Sequence, residues 1–204
     1  MRRAAGAGAA AVAALVIAGC GGGVGGGSTG DTTTGTRTSA AAATGARTYR
    51  DPFGDVTPGQ PDLTAVRIAN DAHTIRLAFR FANAPPLGSN ARQGWTDMLL
   101  MGIDVPPIGS PPTPNGWTGL DYALGMHGVA PEAVFRDMHV EGRQMTVLPS
   151  RVSRGSIVID LDRSRIGDPP YFDFNVAAAR EGASEPATGD SIPTTGTLRY
   201  RLSP

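Results

Sequence analysis

Apolar and polar residues alternate along much of the chain after residue 48, with the period of two that is typical of half-buried β-strands. The clearest example is the segment 74–83, where four apolar side chains share one face while Arg76 and Arg80 lie on the other. The segment 63–69 alternates more loosely, and the polar residues 70–73 between the two supply a turn. This pattern predicts a β-hairpin.

Seven further segments alternate in the same way between Pro- and Gly-rich turns: 97–105, 120–126, 133–137, 144–148, 156–161, 171–178 and 197–202. No segment keeps an apolar period of 3.6 residues over three turns, and only 162–167 favours a single helical turn. The longest break, 106–119, is rich in Pro and predicts a long loop. About nine short strands with turns between them predict an all-β fold, an antiparallel β-sandwich.

The N-terminus follows a different pattern, in which Met1-Arg2-Arg3 precedes an apolar run over 4–18 and then Gly19-Cys20. A basic start followed by a short apolar stretch is typical of an export signal, and the stretch is shorter than the roughly 20 residues of a membrane-spanning helix. We therefore expect residues 1–19 to be a cleaved signal peptide.

Residues 16–20, Val-Ile-Ala-Gly-Cys, resemble the bacterial lipobox, whose cysteine is acylated. The resemblance implies a palmitate-bearing lipoprotein, held by Cys20 on the extracytoplasmic face of the cell membrane. An ordinary secretory signal with Cys20 as an unpaired thiol is the alternative. Cys20 is the sole cysteine, which excludes an intramolecular disulfide.

Residues 20–47 are almost entirely Gly, Ser, Thr and Ala, so this segment cannot form a core and is predicted to be a disordered tether. The composition changes near residue 48, and the stretch 48–204 has the length of one domain. The chain has 18 basic and 18 acidic residues, a balance that offers no electrostatic argument for a nucleic-acid partner.

Several short motifs resemble DOMON-like β-sandwiches, which include the family-nine carbohydrate-binding modules. The resemblance rests on DPFGDVT at 51–57, PDLTAV at 61–66, GLDYAL at 119–124, YFDFNVAA at 171–178 and DSIP at 190–193. It spans about 49–202 and implies a non-catalytic ligand-binding sandwich, with structural calcium in some relatives. Where relatives often place two aspartates around a Thr, this chain has Asp104-Val105-Pro106, which removes one possible ligand.

Five aspartates at strand ends or in turns are candidate ligands for calcium, which takes six to eight oxygens: Asp51, Asp55, Asp62, Asp104 and Asp121. The alternative is structural. Asp51, Asp55 and Asp62 would then form Asx-turns with nearby backbone N–H groups, while Gly54 takes a positive φ.

A sugar-binding site needs flat aromatic faces beside hydrogen-bonding groups. Trp95 and Trp117 each follow a Gly in Pro- and Gly-rich surroundings, and Tyr122 lies in the GLDY motif, so these three are the candidate glycan-binding residues. The alternative is that the two Trp side chains pack against the sandwich. In that case a scaffold or protein-interaction role is favoured.

Met and His residues raise the possibility of a haem or copper carrier, because some DOMON-like domains bind haem through these residues. The pairs Met126-His127 and Met138-His139 are candidates, with Met98, Met101 and Met145 near in sequence, but none has a metal-ligand spacing. No catalytic motif is present, and Asp160 and Asp162 have the spacing of two acids on one strand face. The sequence favours a non-enzymatic glycan-binding module, with a protein-interaction or structural surface lipoprotein as the alternative.

Overall fold

A computed structural model describes residues 45–83, 89–90, 95–109, 119–128, 130–140, 145–182 and 189–204. The predicted signal peptide, Cys20, nearly all of the predicted tether and Trp117 lie outside these residues. Within them, no helix has the length and apolar character needed to cross a membrane.

The described residues form thirteen strands, which we number in chain order. They are β1 Arg47–Arg50, β2 Leu63–Asn70, β3 Thr74–Phe81, β4 Ser89–Asn90, β5 Trp95–Asp104, β6 Tyr122–His127, β7 Ala130–Asp137, β8 Thr146–Leu148, β9 Ser150–Ser153, β10 Ser156–Asp162, β11 Tyr171–Gly182, β12 Gly189–Ile192 and β13 Leu198–Arg201. A 3₁₀ turn at Arg163–Ile166 follows β10, as the segment 162–167 predicted. All nine predicted strands are present, and β1, β4, β9 and β12 are additional.

The strands form two antiparallel sheets that pack as a β-sandwich, which confirms the predicted fold class. The five-stranded sheet has the order β1-β2-β3-β10-β9. The eight-stranded sheet has the order β12-β11-β5-β6-β7-β8, with β4 paired to β5 and β13 paired to β11. Pro149 alone separates β8 from β9, so the chain passes from one sheet to the other at this residue.

The alternating apolar residues of both sheets meet in one core. In the five-stranded sheet, Phe79 pairs with Ile157 and Leu77 with Ile159, and all four side chains are fully buried. The eight-stranded sheet contributes buried residues from β5, β6, β7, β11 and β13, of which Tyr200 is the largest. Removing this apolar surface from water is the main stabilising contribution to such a fold.

Polar side chains also join the two sheets. The Tyr200 hydroxyl on β13 contacts Asn70 Oδ1 at the end of β2, at 2.9 Å. At another position, Leu63 N of β2 donates to Asp190 Oδ2 of β12 at 2.6 Å, in a buried bond. This second bond places the start of β2 against β12, beside the loop 51–62.

Candidate cation site

Four aspartates meet where the loop 51–62 lies beside β12. We call Asp51, Asp55, Asp62 and Asp190 the acidic cluster. Asp51 directly follows β1, Asp62 directly precedes β2, and Asp190 lies in β12. The loop is held at both ends, because Asp51 N donates to Thr64 O at 3.1 Å and Gln60 Oε1 accepts from Arg180 N at 2.8 Å.

Three of these carboxylates converge. One oxygen from each of Asp51, Asp55 and Asp190 lies within 4.8 Å of the other two. Among the described residues, no other group of three His, Cys, Asp or Glu side chains brings its ligand atoms this close together. Oxygen-only ligands of this kind suit a hard cation such as Ca²⁺ better than a softer transition metal.

Asp62 is the most deeply buried member of the cluster, with 3% of its surface exposed. Its Oδ2 accepts a hydrogen bond from Gly54 N at 2.8 Å, whereas its Oδ1 is buried without a hydrogen-bond partner among the described residues. Asp51 Oδ2 is likewise buried without a hydrogen-bond partner among the described residues. Unsatisfied buried carboxylate oxygens destabilise a fold, and a bound cation is a natural way of satisfying them.

The pKa values of the cluster are also consistent with a cation site. Burial, followed by the negative charges of Asp190, Asp55 and Asp62, raises the pKa of Asp51 to about 6. Burial also raises the pKa of Asp190, against the lowering effect of the backbone N–H groups of Leu63 and Ser191. Repulsion among crowded carboxylates favours either a proton or a cation at this position.

The other two predicted calcium ligands, Asp104 and Asp121, lie elsewhere. Asp104 ends β5 opposite Asp173 of β11, whereas Asp190 pairs with Ala178, five positions further along β11. At about 3.4 Å per residue, that offset is roughly 17 Å. The structure therefore divides the five predicted ligands into two groups, and it adds Asp190 to the first.

Asp104 and Asp121 make a separate polar group with His139. Asp121 Oδ1 lies 2.8 Å from His139 Nε2, and Asp121 Oδ2 accepts from Val105 N at 2.8 Å. Asp104 Oδ2 accepts from Gly109 N at 3.0 Å, and burial is the main cause of the raised pKa of Asp104. Asp104 Oδ1 is buried without a hydrogen-bond partner among the described residues, but the other three carboxylate oxygens have protein partners. This group is therefore less suited to a cation than the acidic cluster.

Local Asx-turns account for little of the acidic cluster. Gly54 has the positive φ that was expected, 78°. However, its N–H bonds to Asp62, eight residues away, and not to the neighbouring Asp51 or Asp55. The loop is therefore held by a longer-range contact.

Of the three candidate sugar-binding aromatic residues, only Tyr122 has a described side chain. Its ring is half-buried and stacks on Phe135, with centroids 5.4 Å apart and an interplanar angle of 21°. One face of the ring is therefore occupied. Trp95 begins β5, but its side chain, like the whole of Trp117, lies outside the described residues.

The two Met-His pairs lie at opposite ends of β6, because Met126 and His127 end this strand whereas Met138 N donates to Asp121 O just before the strand begins. Met101, Met126 and Met138 are buried, and the first two belong to the apolar core. Met98 lies directly across from His127 on the neighbouring strand, while His139 contacts Asp121.

The two acids of β10 have different partners. Asp160 pairs with Arg76, and Asp162 accepts a hydrogen bond from Ser164 N at the 3₁₀ turn.

Asp190 is the member of the cluster that sequence reasoning missed as a ligand. In the sequence, Asp190 stands out only as the first residue of the DSIP motif, and it is far from Asp51 and Asp62. The one sequence feature that could have indicated Asp190 as a ligand is its position in this motif, shortly before the last predicted strand. No protein-family model and no curated protein sequence matches this chain.

Proposed function

We propose that this chain is a membrane-anchored, extracytoplasmic and non-catalytic binding module of DOMON-like type, whose β-sandwich holds a calcium ion at the acidic cluster. The observation that carries the calcium proposal is the convergence of one oxygen each from Asp51, Asp55 and Asp190, together with the buried, unpartnered Asp51 Oδ2. Asp62, whose negative charge acts on Asp51, adds a second buried oxygen without a hydrogen-bond partner among the described residues. The lipobox-like sequence before Cys20 and the following Gly/Thr-rich segment support the anchor and the tether.

The ion would have a structural role in this proposal. The acidic cluster offers four carboxylates, and backbone carbonyls or water would complete the six to eight oxygens that Ca²⁺ takes. Binding would join the loop 51–62, which connects β1 and β2 of the five-stranded sheet, to β12 of the eight-stranded sheet. It would also offset the repulsion that raises the pKa of Asp51.

The proposed ligand of the module is a glycan. Support comes from the resemblance to carbohydrate-binding sandwiches and from Trp95, Trp117 and Tyr122 as aromatic candidates. Oligosaccharides that quench the fluorescence of the two Trp residues in a saturable way would support binding at these residues. An unchanged spectrum across a glycan panel would contradict it.

Thermal unfolding of the purified full chain tests the calcium site. Calcium at about 100 times its Kd adds about 2.7 kcal/mol to the free energy of unfolding, which corresponds to an increase in Tm of about 5–10 °C for a domain of this size. EDTA should reverse the increase. A Tm that is the same in calcium and in EDTA would overturn the proposal.

Asp62→Asn is the diagnostic variant, because it keeps an acceptor for Gly54 N while removing the buried charge. We expect its Tm to be insensitive to calcium and, in EDTA, equal to or higher than that of the parent. Asp71→Asn is the matched control: Asp71 caps a turn through His73 N and Thr74 N, outside the cluster. This variant should keep the full response to calcium.

A further inference from the structure

The outer face of the five-stranded sheet carries an unusual concentration of arginines. We call Arg50, Arg67, Arg76, Arg80 and Arg151 the arginine face. All five are exposed, and they come from four of the five strands of this sheet, β1, β2, β3 and β9, with β10 lying between β3 and β9.

The strand register places these five side chains on one side of the sheet. Arg50 and Arg80 both lie opposite Ala65, and Arg67 lies opposite Ala78 in the next outward-facing row. Arg151 extends that second row through Val158, and Arg76 lies in the third row beside Asp160. The intervening residues, such as Phe79 and Ile157, point into the core, so the arginines point outward.

These rows contain little negative charge. Asp160 contacts Arg76 at 2.7 Å and Arg151 at 3.4 Å. The next acid along β10, Asp162, is already engaged at the 3₁₀ turn. Among the described residues, no carboxylate lies within ion-pairing distance of Arg50, Arg67 or Arg80. Although the whole chain is neutral, this face is strongly positive.

A polar groove of about 840 Å³ adjoins the arginine face at Arg80. Its lining includes a second arginine, Arg154, together with Thr64, Asn83 and Ser156, and none of the lining residues that the structure describes is acidic. Hydroxyl and amide groups beside guanidinium groups can bind a ligand that is both hydroxylated and anionic.

We propose that the arginine face and the adjoining groove bind a linear polysaccharide that carries regularly spaced acidic groups. The inference goes beyond the proposed function, because the arginine face lies on the five-stranded sheet and is a binding surface separate from Trp95 and Tyr122 in the eight-stranded sheet. Guanidinium groups pair with carboxylate or phosphate oxygens in a two-pronged geometry, and the hydroxyl and amide groups of the groove suit sugar hydroxyls.

The composition of the face favours a polysaccharide over a membrane surface or a protein. The exposed large apolar side chains of the described residues are Phe53, Ile108, Val140, Val147 and Val152. None of them occupies an outward position in the arginine rows, since Val152 pairs with the inward-facing Ile157. The largest apolar side chain in these rows, Val158, is only partly exposed, so the face lacks the exposed apolar anchors that a stable protein interface has at its centre.

Binding of the full-length protein to polygalacturonate and to alginate, two linear polysaccharides with a carboxylate on each sugar, tests the proposal. Calcium-free buffer prevents the polymer and the acidic cluster from competing for the ion. We expect saturable binding to at least one polymer, weakening as salt is added, and none to neutral dextran. The double variant Arg67→Gln/Arg80→Gln should weaken binding at least tenfold, with its Tm and calcium response unchanged.

The matched control is Arg165→Gln/Arg201→Gln, which removes the same charge from exposed arginines outside the face. It should bind the polymer within about twofold of the parent protein. Equal losses in the two double variants would overturn the proposal, as would absent polymer binding or binding to phosphatidylglycerol vesicles alone. Because calcium binding is read separately from Tm, a failure here can be told apart from a failure of the calcium site.

Discussion

At the scale of single residues, Asp51 shows how the fold determines the ionic state of a side chain. A solvated aspartate loses its proton near pH 4. In this protein, burial and three neighbouring carboxylates raise the pKa of Asp51 to about 6. The folded chain therefore retains a proton in a range of pH where the unfolded chain has released it.

This retained proton predicts an unusual dependence of stability on pH. Between about pH 4 and pH 6 the folded state binds more protons than the unfolded state, so the free energy of unfolding falls as the pH rises. Asp190 and Asp104, whose pKa values are also raised, act in the same direction. Asp71 and Asp162 have lowered pKa values, so their contribution is lost only as the pH falls below about 4.

We therefore expect the Tm measured in EDTA to be higher at pH 5 than at pH 7. Saturating calcium should reverse the order, because the ion binds the deprotonated carboxylates. Asp51→Asn should flatten most of the profile in EDTA. A Tm in EDTA that increases steadily from pH 5 to pH 7 would contradict this account of Asp51.

At the scale of secondary-structure elements, the position of β12 decides whether the acidic cluster forms. Gly189 begins this strand, directly before Asp190. A Cβ added at Gly189 would collide with the carbonyl oxygen of Ala178 and with the Cβ of Ala179, both on β11. Only a residue without a side chain allows β12 to approach β11 closely at this point.

Gly189→Ala is therefore expected to displace β12 and Asp190 with it. We predict a loss of about 1–3 kcal/mol in the free energy of unfolding, typical of overpacking, and a weaker response of Tm to calcium. Gly196→Ala is the comparison, because a Cβ there meets no atom within 4 Å, although its φ of 78° imposes backbone strain. Its calcium response should be intact, and a normal response in Gly189→Ala would contradict the role given to β12.

The strands also show which parts of the fold could be predicted from sequence. Strands with buried apolar residues on one face were predicted to within about four residues at each end: the prediction 74–83 corresponds to β3, Thr74–Phe81, and the prediction 171–178 to β11, Tyr171–Gly182. The strands that were missed, such as β1 (RTYR) and β9 (SRVS), are short and polar. They pair through the backbone at the edges of a sheet, and backbone pairing leaves no alternation to detect.

The candidate site was harder to predict for a related reason. Asp51, Asp55 and Asp62 are close in sequence, so local reasoning grouped them correctly. Asp104 and Asp121 were grouped with them, although the strand register holds the two sets apart. Asp190 was omitted because its position depends on the pairing of β12 with β11 and on its bond to Leu63 of the opposite sheet.

At the scale of the whole molecule, the sandwich and the segment before it have separate roles in the proposed function. We predict that mass spectrometry detects an acylated N-terminal cysteine peptide in the parent protein expressed with its native leader in a bacterial host, and that Cys20→Ala lacks this peptide. The circular dichroism of the sandwich should not change, since Cys20 precedes β1 by many residues. A parent protein whose N-terminal peptide carries no acyl chain would contradict the lipid anchor.

In the lipid-anchored protein that we propose, Tyr49 has a mechanical consequence. It lies in β1, where the chain enters the five-stranded sheet, yet its ring meets Phe174 at 5.0 Å and its hydroxyl donates to Arg199 O at 2.7 Å, both in the eight-stranded sheet. Tension arriving through the preceding segment is therefore shared between both layers. A polymer pulling on the module would have to break this side-chain attachment before β1 could peel away.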